Sequence, residues 1–300
     1  MIRTSGLRKT FGTLDAVQGL DLHVKEGSAT ALVGANGAGK STTIRVIMNL
    51  LQPDSGEAEV MGKDSRKLSP AEFQRIGYVA ESQKLPAGMK LGEYVTYLSA
   101  LYPDWDRELA ASLLARLQLD TEQKLGRLSH GMRMKAALVA ALSYRPALLV
   151  LDEPLTGLDP HVRDQLLENL LGHAEGTTIL ISSHELYELE GAVTDIAFLE
   201  RGRLKFQQPL EEIGGRFRDV VVILAGDPPK PMPDLPPAWI TPKLVGRTLA
   251  FTAADFTTED DLRRRVATHV NGIQSVEFSP MSLRAVAKSL MQDAVEGARA

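Results

Sequence analysis

Residues Gly34-Ala35-Asn36-Gly37-Ala38-Gly39-Lys40-Ser41 set four variable positions between a glycine and Gly-Lys-Ser. Glycines let a chain turn tightly and aim backbone N–H groups at phosphate oxygens, Lys40 adds a cation for the β and γ phosphates, and Ser41 can ligate Mg²⁺. A second constellation, Leu148-Leu149-Val150-Leu151-Asp152-Glu153, reads as a buried strand that delivers two carboxylates at its C-terminal end, the edge of a parallel sheet where ligands bind. There Asp152 is suited to the Mg²⁺ shell, and Glu153 to polarising a water for in-line attack on the γ phosphate. The two constellations together imply binding of a nucleoside triphosphate and its hydrolysis.

The elements needed to position these residues are also legible. Short apolar runs at Ala29 to Val33, Ala147 to Leu151, Thr178 to Ile181 and Ile196 to Leu199 read as strands buried on both faces. They alternate with helical patterns at Thr42 to Leu51, Asp106 to Leu117, Met132 to Ser143 and His161 to Leu171, which predicts an α/β architecture with a mainly parallel core sheet. The first of these helices is expected to stop at the turn cluster Gln52-Pro53-Asp54-Ser55-Gly56. After Gly214-Gly215 the texture changes. Strand-like Val220 to Leu224 leads into the proline-rich stretch Asp227 to Pro237, then strand-like Arg247 to Phe251, an amphipathic Glu259 to Val270, strand-like Ser275 to Phe278, and a last helix from Ser282.

Composition narrows the class. The chain has 300 residues, 44% of them hydrophobic and 24% charged, which is globular composition with room for one large domain and a smaller one. A formal net charge of −4 argues against nucleic acid as a partner. With no cysteine, thiol catalysis, disulfides and Cys-based metal sites are excluded, and a cytoplasmic location fits. The segment Met1 to Gly6 lacks the apolar core of a signal peptide, and no window reaches the roughly 18 to 20 apolar residues that span a bilayer, so any membrane association is expected to come through a partner.

Between the two constellations stands Leu128-Ser129-His130-Gly131-Met132, and beyond them come Gly157-Leu158-Asp159-Pro160 and Ser182-Ser183-His184. That order resembles the ATP-binding cassette (ABC) ATPases over roughly the first 210 residues, and the pattern around Tyr102-Pro103-Asp104-Trp105-Asp106 resembles the bacterial drug and antibiotic exporter type among them. The resemblance implies that Ser129 and the Gly131 amide, at a helix N-terminus, face the γ phosphate of nucleotide held by a second subunit. It further implies that His184 is the switch histidine, Asp159 the residue connecting the two active sites, and Phe11 the aromatic stacked on adenine, with Thr42 completing the phosphate-binding set. Glu81 stands where the family usually has a glutamine that senses Mg²⁺ and the membrane partner; Gln83 is the alternative. His130 and Met132 replace a glycine and a glutamine of the family consensus.

The expected fold is accordingly α/β: a P-loop ABC ATPase with a mainly parallel core sheet, an antiparallel N-terminal β part and a helical signature subdomain at about 85–145, over residues 1–214, with an accessory α+β domain at 215–300. The expected function is the ATP-hydrolysing subunit of an exporter, dimerising on ATP, as homodimer or heterodimer, to drive a separate membrane-spanning permease from the inner face of the membrane. A soluble ABC ATPase acting on a macromolecular partner is the alternative. Lys40, Glu153 and His184 are the expected catalytic residues, and Ser41, Asp152 and Glu81 those for Mg²⁺. Tyr102-Pro103-Asp104-Trp105-Asp106 reads as a proline turn anchoring the helical lobe or as a feature related to substrate, and Arg263-Arg264-Arg265 as a solvated helix face.

Overall fold

The computed structural model describes residues 1–81, 83–173, 176–226 and 234–296, so the first part of the proline-rich stretch lies outside the described residues. Along the chain β1 (Ile2–Phe11), β2 (Leu14–Leu20), β3 (His23–Val24) and β4 (Ala29–Val33) precede α1 (Lys40–Ile47). Then come β5 (Ser55–Val60), β6 (Lys63–Asp64), α2 (Pro70–Phe73), β7 (Ile76–Ala80), α3 (Leu91–Leu101), α4 (Arg107–Arg116), α5 (His130–Leu142), β8 (Leu148–Asp152), α6 (Pro160–His173), β9 (Thr178–Ser183), β10 (Asp195–Glu200) and β11 (Arg203–Pro209). The remainder is α7 (Leu210–Arg216), β12 (Arg218–Leu224), β13 (Trp239–Val245), β14 (Thr248–Ala253), α8 (Glu259–His269), β15 (Ile273–Pro280) and α9 (Leu283–Glu296).

Chain contacts divide these residues into two compact units. The first holds Met1–His184 and Gly191–Gln207; the second holds Glu185–Glu190 and the described residues from Gln208 on. In the first, a six-stranded sheet runs β11-β10-β4-β9-β8-β7, and β10/β4, β4/β9, β9/β8 and β8/β7 are parallel pairs. The strands β8 and β9 are buried at every residue, as continuous apolar runs in a covered parallel sheet should be. A five-stranded antiparallel sheet of order β2-β1-β5-β6, with β3 on β1, shares a core with it. Leu7, Val17 and Leu20 of that sheet, Leu32, Val150 and Leu180 of the parallel one, and Ile44 and Ile47 of α1 form one apolar cluster.

The helix after the phosphate loop differs from the sequence expectation at both ends. It begins at Lys40, because Gly39 at φ 104° turns the chain directly into it. It closes well before the Gln52-Pro53 cluster: Asn49 takes the left-handed φ of 55°, its N–H reaching the Val46 carbonyl and the Leu50 N–H the Arg45 carbonyl. That is the Schellman arrangement, with asparagine in the usual glycine position. In the lobe between β7 and β8, Tyr102 stacks on Tyr144 at 4.0 Å between centroids, and Asp106 caps α4 through the Leu109 N–H while pairing with Arg145. The Tyr102 to Asp106 segment therefore anchors the lobe. From Met134 to its end at Leu142, α5 is buried at every residue, Lys135 among them.

In the second unit a four-stranded antiparallel sheet, β13-β14-β12-β15, buries Val220, Val222, Leu249 and Phe251 together with Leu262 and Val266 of α8. The edge strand β13 escapes sequence reading because Pro242 interrupts it; a register shift between Ile240 and Lys243 accommodates the proline. The arginine run lies on α8 with partners: Arg265 pairs with Asp255 and Asp261, Arg264 with Asp261, and Arg263 sits 4.8 Å from the Phe278 ring centroid. Residues 185–190 belong to this unit through α9, where the Arg284 guanidinium lies 4.9 Å from the Tyr187 ring centroid.

Candidate functional site

The C-terminal ends of β4, β8 and β9 lie side by side, so the residues that follow them converge although they are far apart in sequence. The loop after β4 runs under two steric demands that only glycine meets. A Cβ at Gly34 would sit 2.4 Å from the Leu199 carbonyl oxygen, and one at Gly39 2.3 Å from that of Ala16. The loop feeds the first turn of α1, whose leading N–H groups have no intrahelical acceptor and carry the positive end of the helix dipole.

Above this turn opens a cavity of about 540 Å³, within the range of small-molecule sites, lined by Phe11 and Leu14, by Asn36 to Thr42, and by Glu81, Glu153, Thr156 and His184. Phe11 is 48% and Leu14 64% exposed, an apolar shelf at the β1–β2 turn that suits a flat ring. Gly34 and Ala35 do not line the cavity; their carbonyls accept from Lys40 Nζ at 2.6 and 3.2 Å.

Two carboxylates follow β8 and are held differently. Asp152 Oδ1 accepts from the hydroxyls of Ser41 and Ser182, both at 2.9 Å. Glu153 turns away on a backbone with φ of 51°, a left-handed conformation that costs a non-glycine residue of order 1–3 kcal/mol. That turn is fixed by the Ser182 hydroxyl, which accepts from the Glu153 N–H at 2.9 Å. The Glu153 carboxylate then meets Lys40 Nζ through Oε1 at 3.0 Å, and Thr156 Oγ1 and His184 Nδ1 through Oε2 at 2.9 Å each. Burial pushes the Glu153 pKa up, but these contacts, led by His184 and Lys40, outweigh it and hold the carboxyl below its ordinary value. An ionised carboxylate only accepts, so in this contact the His184 proton lies on Nδ1.

Of the expected residues, the structure brings Phe11, Lys40, Ser41, Thr42, Glu81, Asp152, Glu153 and His184 to one place, the loop residues Asn36 to Gly39 with them. Glu81 lines the cavity, whereas the Gln83 carboxamide oxygen accepts from the Ala80 N–H. Ser129, Gly131 and Asp159 are outside the lining. Ser129 caps α5, accepting from the Met132 N–H; Asp159 caps α6, accepting from the Val162 N–H. Sequence reasoning missed Thr156. Its only signal was its place three residues after Glu153, in the turn that follows the strand.

The oxygens of Ser41 and Asp152, with Glu81 on the wall, form a hard donor set of the kind that holds Mg²⁺ together with phosphate and water. A buried cation, Lys40, beside the carboxylates of Asp152 and Glu153 is the kind of arrangement that hydrolysis of a nucleoside triphosphate calls for.

The family profile described as "ABC transporter" matches residues 17–156. The bacitracin transport ATP-binding protein BcrA of Bacillus licheniformis is 32% identical over 222 residues, 73% of this chain and 72% of BcrA. The Nod factor export ATP-binding protein I of Rhizobium sp. (strain N33) is 36% identical over 208 residues, 67% of this chain and 68% of that protein. A solved structure of the ATP binding subunit of an ABC transporter is 28% identical with a TM-score of 0.64, covering 71% of this chain and 91% of that one. With its phosphate loop, its paired carboxylates and its parallel sheet all in place, this chain belongs to the ABC transporter family and is one of its ATP-binding, ATP-hydrolysing subunits.

Proposed function

We propose that this chain is the motor subunit of an exporter: two ATPase subunits close on two molecules of ATP, and hydrolysis releases them, moving a separate membrane-spanning permease. The relatives' descriptions as bacitracin transport and Nod factor export proteins support the exporter reading. No described helix is long and apolar enough to cross a membrane, which fits attachment at the inner face of the membrane through the permease. The observation that carries the dimer is that Ser129 and Gly131, at the N-terminus of α5, stand outside the cavity holding their own Lys40. A helix N-terminus is an anion site, and its ligand is then the nucleotide of a second subunit.

In each site Phe11 supports the adenine, and the loop amides from Asn36 to Thr42 and the Lys40 ammonium hold the phosphates. When bound, Mg²⁺ neutralises phosphate charge, and Ser41 and Asp152 would hold it with Glu81 nearby. Glu153 takes a proton from the attacking water as the water oxygen bonds to the γ phosphorus and ADP leaves. His184, its Nδ1 committed to Glu153, keeps Nε2 for the γ phosphate side and orients the water. Asp159, on the residues that follow the catalytic turn, connects one site with the other.

Replacing Glu153 by Gln tests this. ATP binding is retained, steady-state hydrolysis falls by about 10²-fold or more, as loss of a general base requires, and ATP with Mg²⁺ converts the protein into a stable dimer on size-exclusion chromatography. Unimpaired turnover would reject Glu153 as base; monomer at all ATP concentrations would reject the dimer.

A further inference from the structure

Below the N-terminus of α5, the side chain of His130 points to the turn that carries the catalytic carboxylate. Its Nε2 lies 3.0 Å from the Thr156 carbonyl oxygen. A carbonyl only accepts, so Nε2–H donates. The imidazole also lies against Gly157, where an added Cβ would come within 3.8 Å of His130 Cδ2 and where φ is +71°. The hydroxyl of the same Thr156 donates to Glu153 Oε2. One residue is thus gripped from both sides, its carbonyl by the helix that begins after Ser129, its hydroxyl by the carboxylate at the cavity.

We propose that His130 is a positioning residue, which with Thr156 forms a relay from the N-terminus of α5 to the Glu153 carboxylate of the same chain. A shift of α5 is passed through the His130 ring to the Thr156 backbone, and from there to Glu153 through the hydroxyl bond. This rests on the reading in which α5 of each subunit meets its partner's nucleotide: docking of that nucleotide on Ser129 and Gly131 then sets the base in the chain that docks it. The bond from the Thr156 hydroxyl to the carboxylate is charge-assisted, and a carboxylate displaced by a fraction of an ångström from the attacking water loses rate without losing affinity for ATP. Glu153 has two further partners, Lys40 and His184, so loss of the relay leaves it ionised and near its place. The effect belongs in kcat.

The test compares full-length wild type with His130→Ala, His130→Gln, Thr156→Val, Thr156→Ser and the double variant H130A/T156V, each by Mg-ATP steady-state kinetics and thermal melt. H130A is expected to lower kcat roughly tenfold with KM for ATP within about twofold, a split that a lost transition-state positioning contact produces. H130Q and T156S, which keep a donor at each link, restore most of kcat. T156V is at least as slow as H130A, and the double variant matches T156V alone, because the two residues act in series. Wild-type kcat in H130A overturns the relay. So does a kcat loss in the double variant equal to the product of the two single losses, or a loss in H130A that tracks a lowered melting temperature and that H130Q does not relieve. ATP-dependent dimerisation of Glu153→Gln, measured separately, judges the two-subunit reading: absence of a dimer there sinks that reading while the kinetic comparison still decides the relay.

Discussion

Glu153 holds its carboxylate on a left-handed backbone, with three donors from three different segments around it. One donor, Thr156, lies in its own turn; of the other two, Lys40 is the first residue of α1 and His184 follows the neighbouring strand β9. This has a consequence for pH. The pKa of Glu153 is lowered on folding, so the stability it contributes is complete above the ordinary glutamate range and is lost as pH falls through its lowered folded value. The melting-temperature advantage of wild type over Glu153→Gln should therefore be constant near neutrality and shrink on acidification below that range. In the His184→Ala background the largest lowering contact is gone and burial counts for more, so the advantage near neutrality should be smaller, while its loss still begins in the ordinary glutamate range. Thermal melts across a pH series check both outcomes. An advantage that persists unchanged through the acid range would mean that the Glu153 contacts do not favour its ionised form.

At the scale of elements, function depends on where helices start. Lys40 can reach Glu153 because α1 begins immediately after Gly39, and Gly39 combines a φ of 104° with a backbone approach that leaves no room for a Cβ. Replacing Gly39 by Ala is expected to cost on the order of 1–3 kcal/mol from the backbone conformation alone, and to remove measurable ATP binding because the loop amides lose their aim. Gly214 in α7 is the control: nothing lies within 4 Å of its Cβ position and its φ is not left-handed, so Gly214→Ala should be neutral or stabilise by up to about 1 kcal/mol. Urea unfolding and titration with a fluorescent ATP analogue separate the two. Equal behaviour of the two variants would contradict the steric argument. The start of α5 is set differently, by the Ser129 side chain on the Met132 N–H.

At the scale of the whole molecule, the two units do not follow chain order. Residues 185–190 leave the first unit directly after His184 and pack with the second, where Leu186 and Leu189 are fully buried. A chain cut after Gln207 loses what this segment packs on. It should melt at lower temperature, and its kcat should fall more than its affinity for ATP, since His184 is the neighbouring residue. Unchanged kcat and melting temperature would leave the part of the second unit from Gln208 on without this role and confine it to dimer stability or regulation. The sequence by itself determined the candidate site residues, because each group sits in a short contiguous motif whose local form, strand then loop then helix, follows from burial and glycine placement. It also determined the parallel sheet, since fully apolar runs such as Leu148 to Leu151 leave few other arrangements. Only the tertiary structure decided which of those residues touch. The strand order β4-β9-β8 interleaves distant segments, so the meeting of Lys40, Glu153 and His184, the grip of His130 on Thr156 and the membership of residues 185–190 depend on packing that no local pattern records.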